Sequence, residues 1–370
     1  MRIILTGGGT GGHIYPAIAI GQAIRSKWPD TEFLYIGTKE GMEGKIVPES
    51  GFPFQPIEVI GWERKLSLQA LRAGWKALTA LYHSQRLVRQ FSPQLVIGTG
   101  GYVCLPVVWA AVRSKIPALI HEQNAMPGLT NRFLSRKVEG VLLTFDRSRK
   151  YFPQRLQQKL HVTGLPVRSD ILRVSREEGL AFFGLSPKKA TLVGVGGSRG
   201  ARSINRAMLT VCRKLAEHPD VQIIHLTGTA GYTEFKSSLQ AHGITEGNCG
   251  NIIIRPYLHE MEYALACADL CVARAGAAFL SEMTAKGIPG VLIPYPYATE
   301  NHQEHNAASL ADVQAAEMIL DSCLTGEVLL ERVEELLFDE KKRKQMAANS
   351  LNAGKPEAVT KILEIIKQVI

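Results

Sequence analysis

Met1-Arg-Ile-Ile-Leu-Thr-Gly7-Gly8-Gly9-Thr10-Gly11-Gly12-His13-Ile-Tyr-Pro16 decides how this chain is read. A short apolar run, Ile3 to Leu5, breaks into glycines at Gly7, Gly8, Gly9, Gly11 and Gly12, and a helical pattern begins at about His13. That is a strand, a tight glycine turn and a helix N-terminus, whose outward backbone N–H groups favour anions. His13, beside the loop, is a proton acceptor at neutral pH.

Three known patterns compete for this loop. Gly7, Gly9 and Gly12 fit G-x-G-x-x-G, the dinucleotide fingerprint, which asks for an acid about 20 residues on, after the second strand. The second strand pattern, Phe33 to Ile36, runs into Gly37-Thr38-Lys39 with no acid before Glu40, which weakens a nicotinamide or flavin reading. A nucleotide-hydrolysing P-loop needs Lys and then Ser or Thr after the last glycine, and His13-Ile14 stand there instead. The third reading is a glycine loop that gives a substrate room beside a basic histidine; a purely structural tight turn competes with it.

A length of 370 residues suits two domains, and 45% apolar residues suffice for sizeable cores. Cys104, Cys212, Cys249, Cys267, Cys271 and Cys323 form no C-x-x-C pair and read as free thiols in a reducing compartment. Met1 leads directly into a strand pattern, so no secretory leader is expected, and no apolar stretch approaches a spanning helix. The net charge of +9 points to an anionic partner: nucleic acid, a membrane surface or a phosphorylated substrate. No nucleic-acid-binding signature accompanies it, so nucleic acid is not expected as a partner.

Apolar strand-like runs alternate with helical patterns, the mark of an α/β fold with parallel sheets. Strands are expected near 2–6, 32–36, 94–97, 117–121, 139–143 and 160–163, then near 190–196, 221–226, 251–254, 269–273, 289–293 and 316–320. Gly164 and Pro166 interrupt the pattern and mark a boundary. The second half repeats the opening device, with Thr191-Leu-Val-Gly-Val-Gly-Gly-Ser198-Arg-Gly-Ala201 again reading as strand, glycine turn and helix. A third glycine turn, Gly98-Thr-Gly100-Gly101-Tyr102, also follows a strand. Doubled Rossmann-like units bind ligands outside their strand C-termini, so a cleft between domains is the expected site.

Four further segments carry polar chemistry. His121-Glu122-Gln-Asn124 follows an apolar strand; Asn124 can donate to and accept from sugar hydroxyls, while His121 and Glu122 either act or brace their loop. Arg274-Ala-Gly-Ala277-Ala278-Phe279-Leu280-Ser281-Glu282 places a helix N-terminus after a strand, suited to a diphosphate, with Glu282 able to accept from two ribose hydroxyls. Glu300-Asn-His302-Gln303-Glu-His305-Asn306 lacks the spacing of a metal motif and reads as a polar loop, with Gln303 as a sugar ligand. The chain contains no Asp-x-Asp, so no metal-held diphosphate is expected, and Arg168 can supply the charge. Leu68, Leu71, Trp75, Leu78 and Tyr82 fall on one helical face among Arg64, Lys65, Arg72, Lys76, Arg86 and Arg89. They are either a core-facing stripe or a contact with anionic lipid, to which each basic residue adds about 1 kcal/mol.

Taken in order along the chain, these stretches resemble the bacterial lipid II synthases, the undecaprenyl-diphospho-muramoylpentapeptide β-N-acetylglucosaminyltransferases of cell-wall assembly. The resemblance rests on Gly7 to His13, Gly100 to Tyr102, His121 to Asn124, Leu165-Pro-Val-Arg168, Gly196 to Ala201, Arg274 to Ala277 with Glu282, and His302-Gln303 with Asn306. It implies GT-B architecture: Rossmann-like domains over 1–164 and 165–353, with a last helix at about 354–370 crossing back to the first. It implies inverting transfer of N-acetylglucosamine from its uridine diphosphate to the 4-hydroxyl of the muramoyl sugar of lipid I, at the cytoplasmic face of the membrane, in peptidoglycan synthesis and hence cell shape and division. His13 would be the base and Glu122 its reserve or its orienting partner.

By the same resemblance Thr10, Gly11, Gly12 and Asn124 would face the donor sugar, Arg168 and Ser198 the diphosphate, Leu258 the uracil and Glu282 the ribose. Ala277, Ala278, Phe279, Leu280, Ser281 and Gln303 would touch phosphates and sugar. Gly7, Gly8, Gly9, Gly100, Gly101 and Tyr102 would border the acceptor. On the lipid reading of the basic helical stripe, Leu71, Trp75, Lys76, Leu78 and Tyr82 would contact the membrane. No obligatory metal or other cofactor is implied. Ala278 and Phe279 stand where the family often has small hydroxyl residues, so only backbone contacts are expected there. A uridine-sugar epimerase, a transferase acting on diacylglycerol and a non-catalytic nucleotide-sugar-binding protein remain as alternatives.

Overall fold

Ile3, Ile4 and Leu5 are fully buried because their strand has helices on both faces, the condition under which parallel strands read as continuous apolar runs. The computed structural model describes residues 1–59, 68–197, 200–245 and 251–370, and side chains there except those of 68–78. It forms two units, residues 1–166 with 357–370, and residues 167–356.

The sheet of the first unit holds β1 (Arg2–Thr6), β2 (Glu32–Gly37), β3 (Phe54–Pro56), β4 (Leu95–Gly98), β5 (Ala118–Glu122), β6 (Gly140–Leu143) and β7 (Leu160–Val162). All are parallel, in the order β3-β2-β1-β4-β5-β6-β7. Alternation along the strands divides the core. Ile4, Val96, Ile120 and Val141 pack beneath helix Cys104–Arg113. Ile3, Leu5, Ile97, Leu119 and Leu142 pack with helix Gly11–Lys27 and with Ile362 and Ile366 of the last helix, Ala358–Val369.

The second unit repeats the plan with β8 (Ala190–Val195), β9 (Val221–Leu226), β10 (Ile252–Arg255), β11 (Leu270–Ala273), β12 (Gly290–Leu292) and β13 (Ala316–Met318). They are parallel in the order β10-β9-β8-β11-β12-β13. The order reverses between β8 and β11, the switch point where such sheets open a crevice.

Two details differ from the sequence reading. Strand β3 was absent from it: three residues ending in Pro56 give no periodic signal, and a proline is tolerated there because β3 is an edge. The first helix starts at Gly11, two residues before His13, so the last two glycines are helical.

Helix Leu68–Phe91 is continuous. Its described core side carries Ala80, Ser84 and Val88, spaced four apart, whereas Tyr82 is 68% exposed. The stripe containing Tyr82 therefore faces solvent at that residue. Leu71, Trp75, Lys76 and Leu78 lie where side chains are outside the description.

Candidate active site

In the first unit the glycine loop is clamped from three sides. Tyr35 donates its hydroxyl to Gly7 O at 2.7 Å. Gly8 N–H donates to Gly100 O, and Gly9 N–H to Glu43 Oε2 at 3.1 Å. Glu43, fully buried, also accepts from the backbone and hydroxyl of Thr38. The acid that serves this loop is thus Glu43, which the sequence reading passed over; the nearby glycines at 37, 41 and 44 were its only signal.

These bonds change what the loop can offer. The amides of Gly8 and Gly9 are taken internally. Those of Gly11 and Gly12, in the first helical turn, have no acceptor within the helix. The uncommitted amides of this segment are therefore at the helix start and not in Gly8 or Gly9. Tyr102 lies against Gly9, whose added Cβ would stand 3.3 Å from its ring.

His13 sits half-buried in the first turn. Thr99 Oγ1 donates to its carbonyl at 2.7 Å. Its Nδ1 lies 3.1 Å from Gln123 Oε1. Burial pushes His13 below the ordinary imidazole range, opposed by Gln123, Thr99 and the charge of Glu43. The imidazole is therefore neutral near pH 7, the form a base requires. Gly100 and Gly101, at φ +102° and +81°, occupy space no other residue fits: a Cβ on Gly100 would stand 2.9 Å from His13 Nδ1, and one on Gly101 2.3 Å from Gly8 O.

His121-Glu122-Gln123-Asn124 divides by the strand's alternation. His121 and Gln123 share one face; Gln123 reaches His13, and His121 bonds Gln123. Glu122 turns to the other, where its carboxylate accepts from Asn124 N–H, Gly128 N–H and Asn131 Nδ2 at 2.8–3.1 Å. Burial raises the Glu122 carboxyl and these three donors pull it back. Glu122 is a bracket for the loop that carries Asn124, and the residue against His13 is Gln123. The sequence reading missed Gln123, although counting two by two from the strand would have found it.

In the second unit a cavity of about 680 Å³ opens at the switch point, between the loops after β8 and β11. Gly196, Gly197, Arg206, Gly276, Phe279 and Gln303 are among its lining. Arg274 braces its wall. The guanidinium donates to Ile293 O, Pro294 O and Asp321 Oδ1, and to Ser203 Oγ, which in turn donates to Asp321.

Gln303 Oε1 accepts from Ala275 N–H and Tyr295 N–H, so its Nε2 end is the part left for a ligand. At helix Ala277–Ala285 the amides of Ala277, Ala278 and Phe279 begin the first turn. Leu280 is committed to the fold: its amide donates to Gly276 O and its side chain is buried. Ser281 Oγ donates to Ala277 O.

Glu282, Arg168 and Leu258 stand outside that lining. Arg168 Nε donates to Glu282 Oε1 at 3.0 Å, and Glu262 Oε2 lies 3.8 Å from its Nη1. Burial raises the Glu282 carboxyl and Arg168 lowers it in part. Ser198 lies outside the described residues. Among the described residues no cluster of three or more His, Cys, Asp or Glu is placed to hold a metal, and no helix is long and apolar enough to cross a membrane.

The glycosyltransferase family 28 N-terminal domain matches residues 3–143, and the family's C-terminal domain matches residues 191–363. A UDP-N-acetylglucosamine--N-acetylmuramyl-(pentapeptide) pyrophosphoryl-undecaprenol N-acetylglucosamine transferase of Desulforamulus reducens is 49% identical over 370 residues, covering all of this chain and 99% of its own. The chain belongs to glycosyltransferase family 28. A transferase of the same name from Desulfitobacterium hafniense is 50% identical over 365 residues, 99% of this chain and 98% of its own. Among solved structures, Acinetobacter baumannii MurG superposes with a TM-score of 0.80 at 28% identity, covering 99% of both chains. A UDP-GlcNAc 2-epimerase from Neisseria meningitidis bound to UDP-GlcNAc shares the fold, with a TM-score of 0.66 at 14% identity over all of both chains. Family 28 membership makes the chain a glycosyltransferase of the GT-B class, with two α/β units built on parallel sheets.

Proposed function

We propose that this chain transfers N-acetylglucosamine from UDP-N-acetylglucosamine to the 4-hydroxyl of the muramoyl residue of undecaprenyl-diphospho-muramoylpentapeptide, with inversion, giving lipid II for peptidoglycan synthesis. The observation that carries this reading is the near-complete coverage of relatives named for that reaction at about half identity. The residues supply a mechanism. His13, through Nε2, takes the proton of the attacking hydroxyl. The hydroxyl oxygen bonds the anomeric carbon as the bond to the diphosphate breaks, and uridine diphosphate leaves from the opposite face.

The leaving charge meets the first-turn amides of helix Ala277–Ala285, where preorganised donors act without reorganising. Arg168 contributes once Glu282 turns to the ribose hydroxyls. Ser198 belongs to this set by its place in the glycine turn. In the first unit we assign Thr10, Gly11, Gly12 and Asn124 to the sugar and Tyr102 to the acceptor; in the second, Gln303 to the sugar and Leu258 to the uracil.

The acceptor's prenyl chain places the reaction at a membrane, and the first unit offers a fitting surface. Trp109 packs against Phe133 with ring centroids 5.5 Å apart. Phe133 and Leu129 are each more than half exposed, and Leu105 is exposed nearby. Arg113, Arg132, Arg136 and Lys137, on the same two helices or just after the second, are exposed cations. Together with Tyr82, exposed on helix Leu68–Phe91, which packs on helix Cys104–Arg113, we read them as a surface suited to anionic lipid at the cytoplasmic leaflet. The deciding experiment supplies radiolabelled UDP-N-acetylglucosamine with lipid I or with diacylglycerol. Sugar transfer with lipid I alone supports the reading; transfer only to diacylglycerol, or consumption of the donor without either acceptor, defeats it.

A further inference from the structure

Two backbone carbonyls set the direction of a hydrogen-bonded chain that ends on His13. Gly164 O lies 3.0 Å from His121 Nε2. A carbonyl only accepts, so that nitrogen carries a proton. His121 is fully buried, and burial pushes it down to about 4, so the ring is neutral and its Nδ1 is bare. Gln123 Nε2 lies 3.1 Å from that Nδ1 and 3.1 Å from the carbonyl of His121. A reversed amide would press its oxygen against a carbonyl oxygen, so the –NH2 faces His121. Gln123 Oε1 is thereby turned to His13, and the His13 Nδ1 at 3.1 Å must be the donor.

We propose that Gln123, held by His121, is a positioning residue that keeps the His13 proton on Nδ1 and so reserves Nε2 for the acceptor hydroxyl. The proposal rests on the reading of His13 as the base. The device has a purpose, because a free imidazole in water prefers its proton on Nε2, the nitrogen that must be bare. During transfer the O–H bond of the hydroxyl breaks and its proton joins Nε2. The electron pair stays with the oxygen that bonds the anomeric carbon, and the diphosphate departs with the pair of the broken bond. The resulting imidazolium still donates Nδ1–H to Gln123 Oε1. A neutral amide stabilises that cation less than a carboxylate would, so the resting ring stays unprotonated and ready. Gly100 is the steric counterpart: a Cβ there would stand 2.9 Å from His13 Nδ1, the atom directed at Gln123.

The test is a nitrogen–proton correlation spectrum of the full chain with labelled histidine near neutral pH, together with kinetics. The wild type is expected to show His13 protonated on Nδ1 and bare on Nε2. Gln123→Met keeps the shape and removes the hydrogen bonds to His13 and His121. It should move proton population to Nε2 and lower kcat about 10–100-fold, the range seen when a metal-bound histidine loses its orienting partner, with KM for UDP-N-acetylglucosamine unchanged. Gln123→Glu keeps an acceptor for Nδ1–H but loses the donor to His121; its charge should hold the His13 cation and move the acidic limb of kcat to higher pH.

A wild-type His13 protonated on Nε2 overturns the proposal even if a variant fails to fold. So does a Gln123→Met enzyme with full kcat while His13→Ala is inactive. Near-normal kcat in His13→Ala instead sinks the reading of the base, and the spectrum then reports a tautomer without a catalytic use.

Discussion

Arg168 holds Glu282 through a 3.0 Å hydrogen bond between Nε and Oε1, across 114 residues of sequence. A cation proposed for the diphosphate is thus engaged by an acid proposed for the ribose. Glu282→Ala is expected to weaken binding of uridine diphosphate and to raise KM for the donor sharply. Calorimetry with the nucleotide alone checks this, and an unchanged affinity would leave Glu282 as a helix residue.

The same pair predicts a pH dependence. Burial raises the Glu282 carboxyl above the usual range, and Arg168 opposes that. Arg168→Gln removes the opposition, so the carboxyl rises further. Donor affinity, which needs the ionised form, should then fall at a higher pH than in the wild type. Titrating nucleotide affinity against pH in both proteins measures the displacement; coincident curves would dissociate the two residues.

His13→Ala should lower kcat by about 10²–10⁴, the contribution of a general base, with folding intact. In the wild type, kcat/KM should rise with pH through a value below 6.5, because burial lowers the His13 proton affinity and only the bare ring accepts a proton. A pH–rate profile on the free enzyme reads that value, and a limb above 6.5 would contradict it.

Gly100→Ala places a Cβ at φ +102° and 2.9 Å from His13 Nδ1. Strained backbone of this kind costs about 1–3 kcal/mol, and the ring must also leave Gln123. A fall in Tm is expected together with a fall in kcat. Full activity at reduced Tm would show that the ring tolerates displacement.

Acid should weaken both units. His121 and His225 are fully buried, and burial pushes each down to about 4. Their folded values lie below the unfolded 6.5, so their contribution is complete above 6.5 and is lost as pH falls from there toward about 4. Tm measured across that window should drop, and His225→Gln should make the drop shallower.

The strand ladder was legible because both sheets are parallel and covered on two faces, so Ile3 to Leu5 or Leu192 to Val195 read as unbroken apolar runs. β3 was not, since Phe54–Pro56 is too short for a period and owes its pairing to Tyr35 and Ile36. The glycine turns and His13 stood out by composition alone. Glu43 and Gln123 did not, because each acts on a loop distant in sequence: Glu43 reaches Gly9 across 34 residues and Gln123 reaches His13 across 110. Read as a consecutive string, His121 to Asn124 leaves open whether Glu122 acts or braces its loop; read as two alternating faces, it puts Gln123 against His13.

The last helix supplies Ile362 and Ile366 to a core whose other members lie before residue 143. During synthesis, therefore, the part of the protein made first is the part finished last. Residues 167–356 are contiguous and can close as soon as they leave the ribosome, whereas the first sheet waits with Leu5, Ile20 and Leu119 partly uncovered. A shortened transcript would leave the His13 side of the molecule unfinished while the other unit folded.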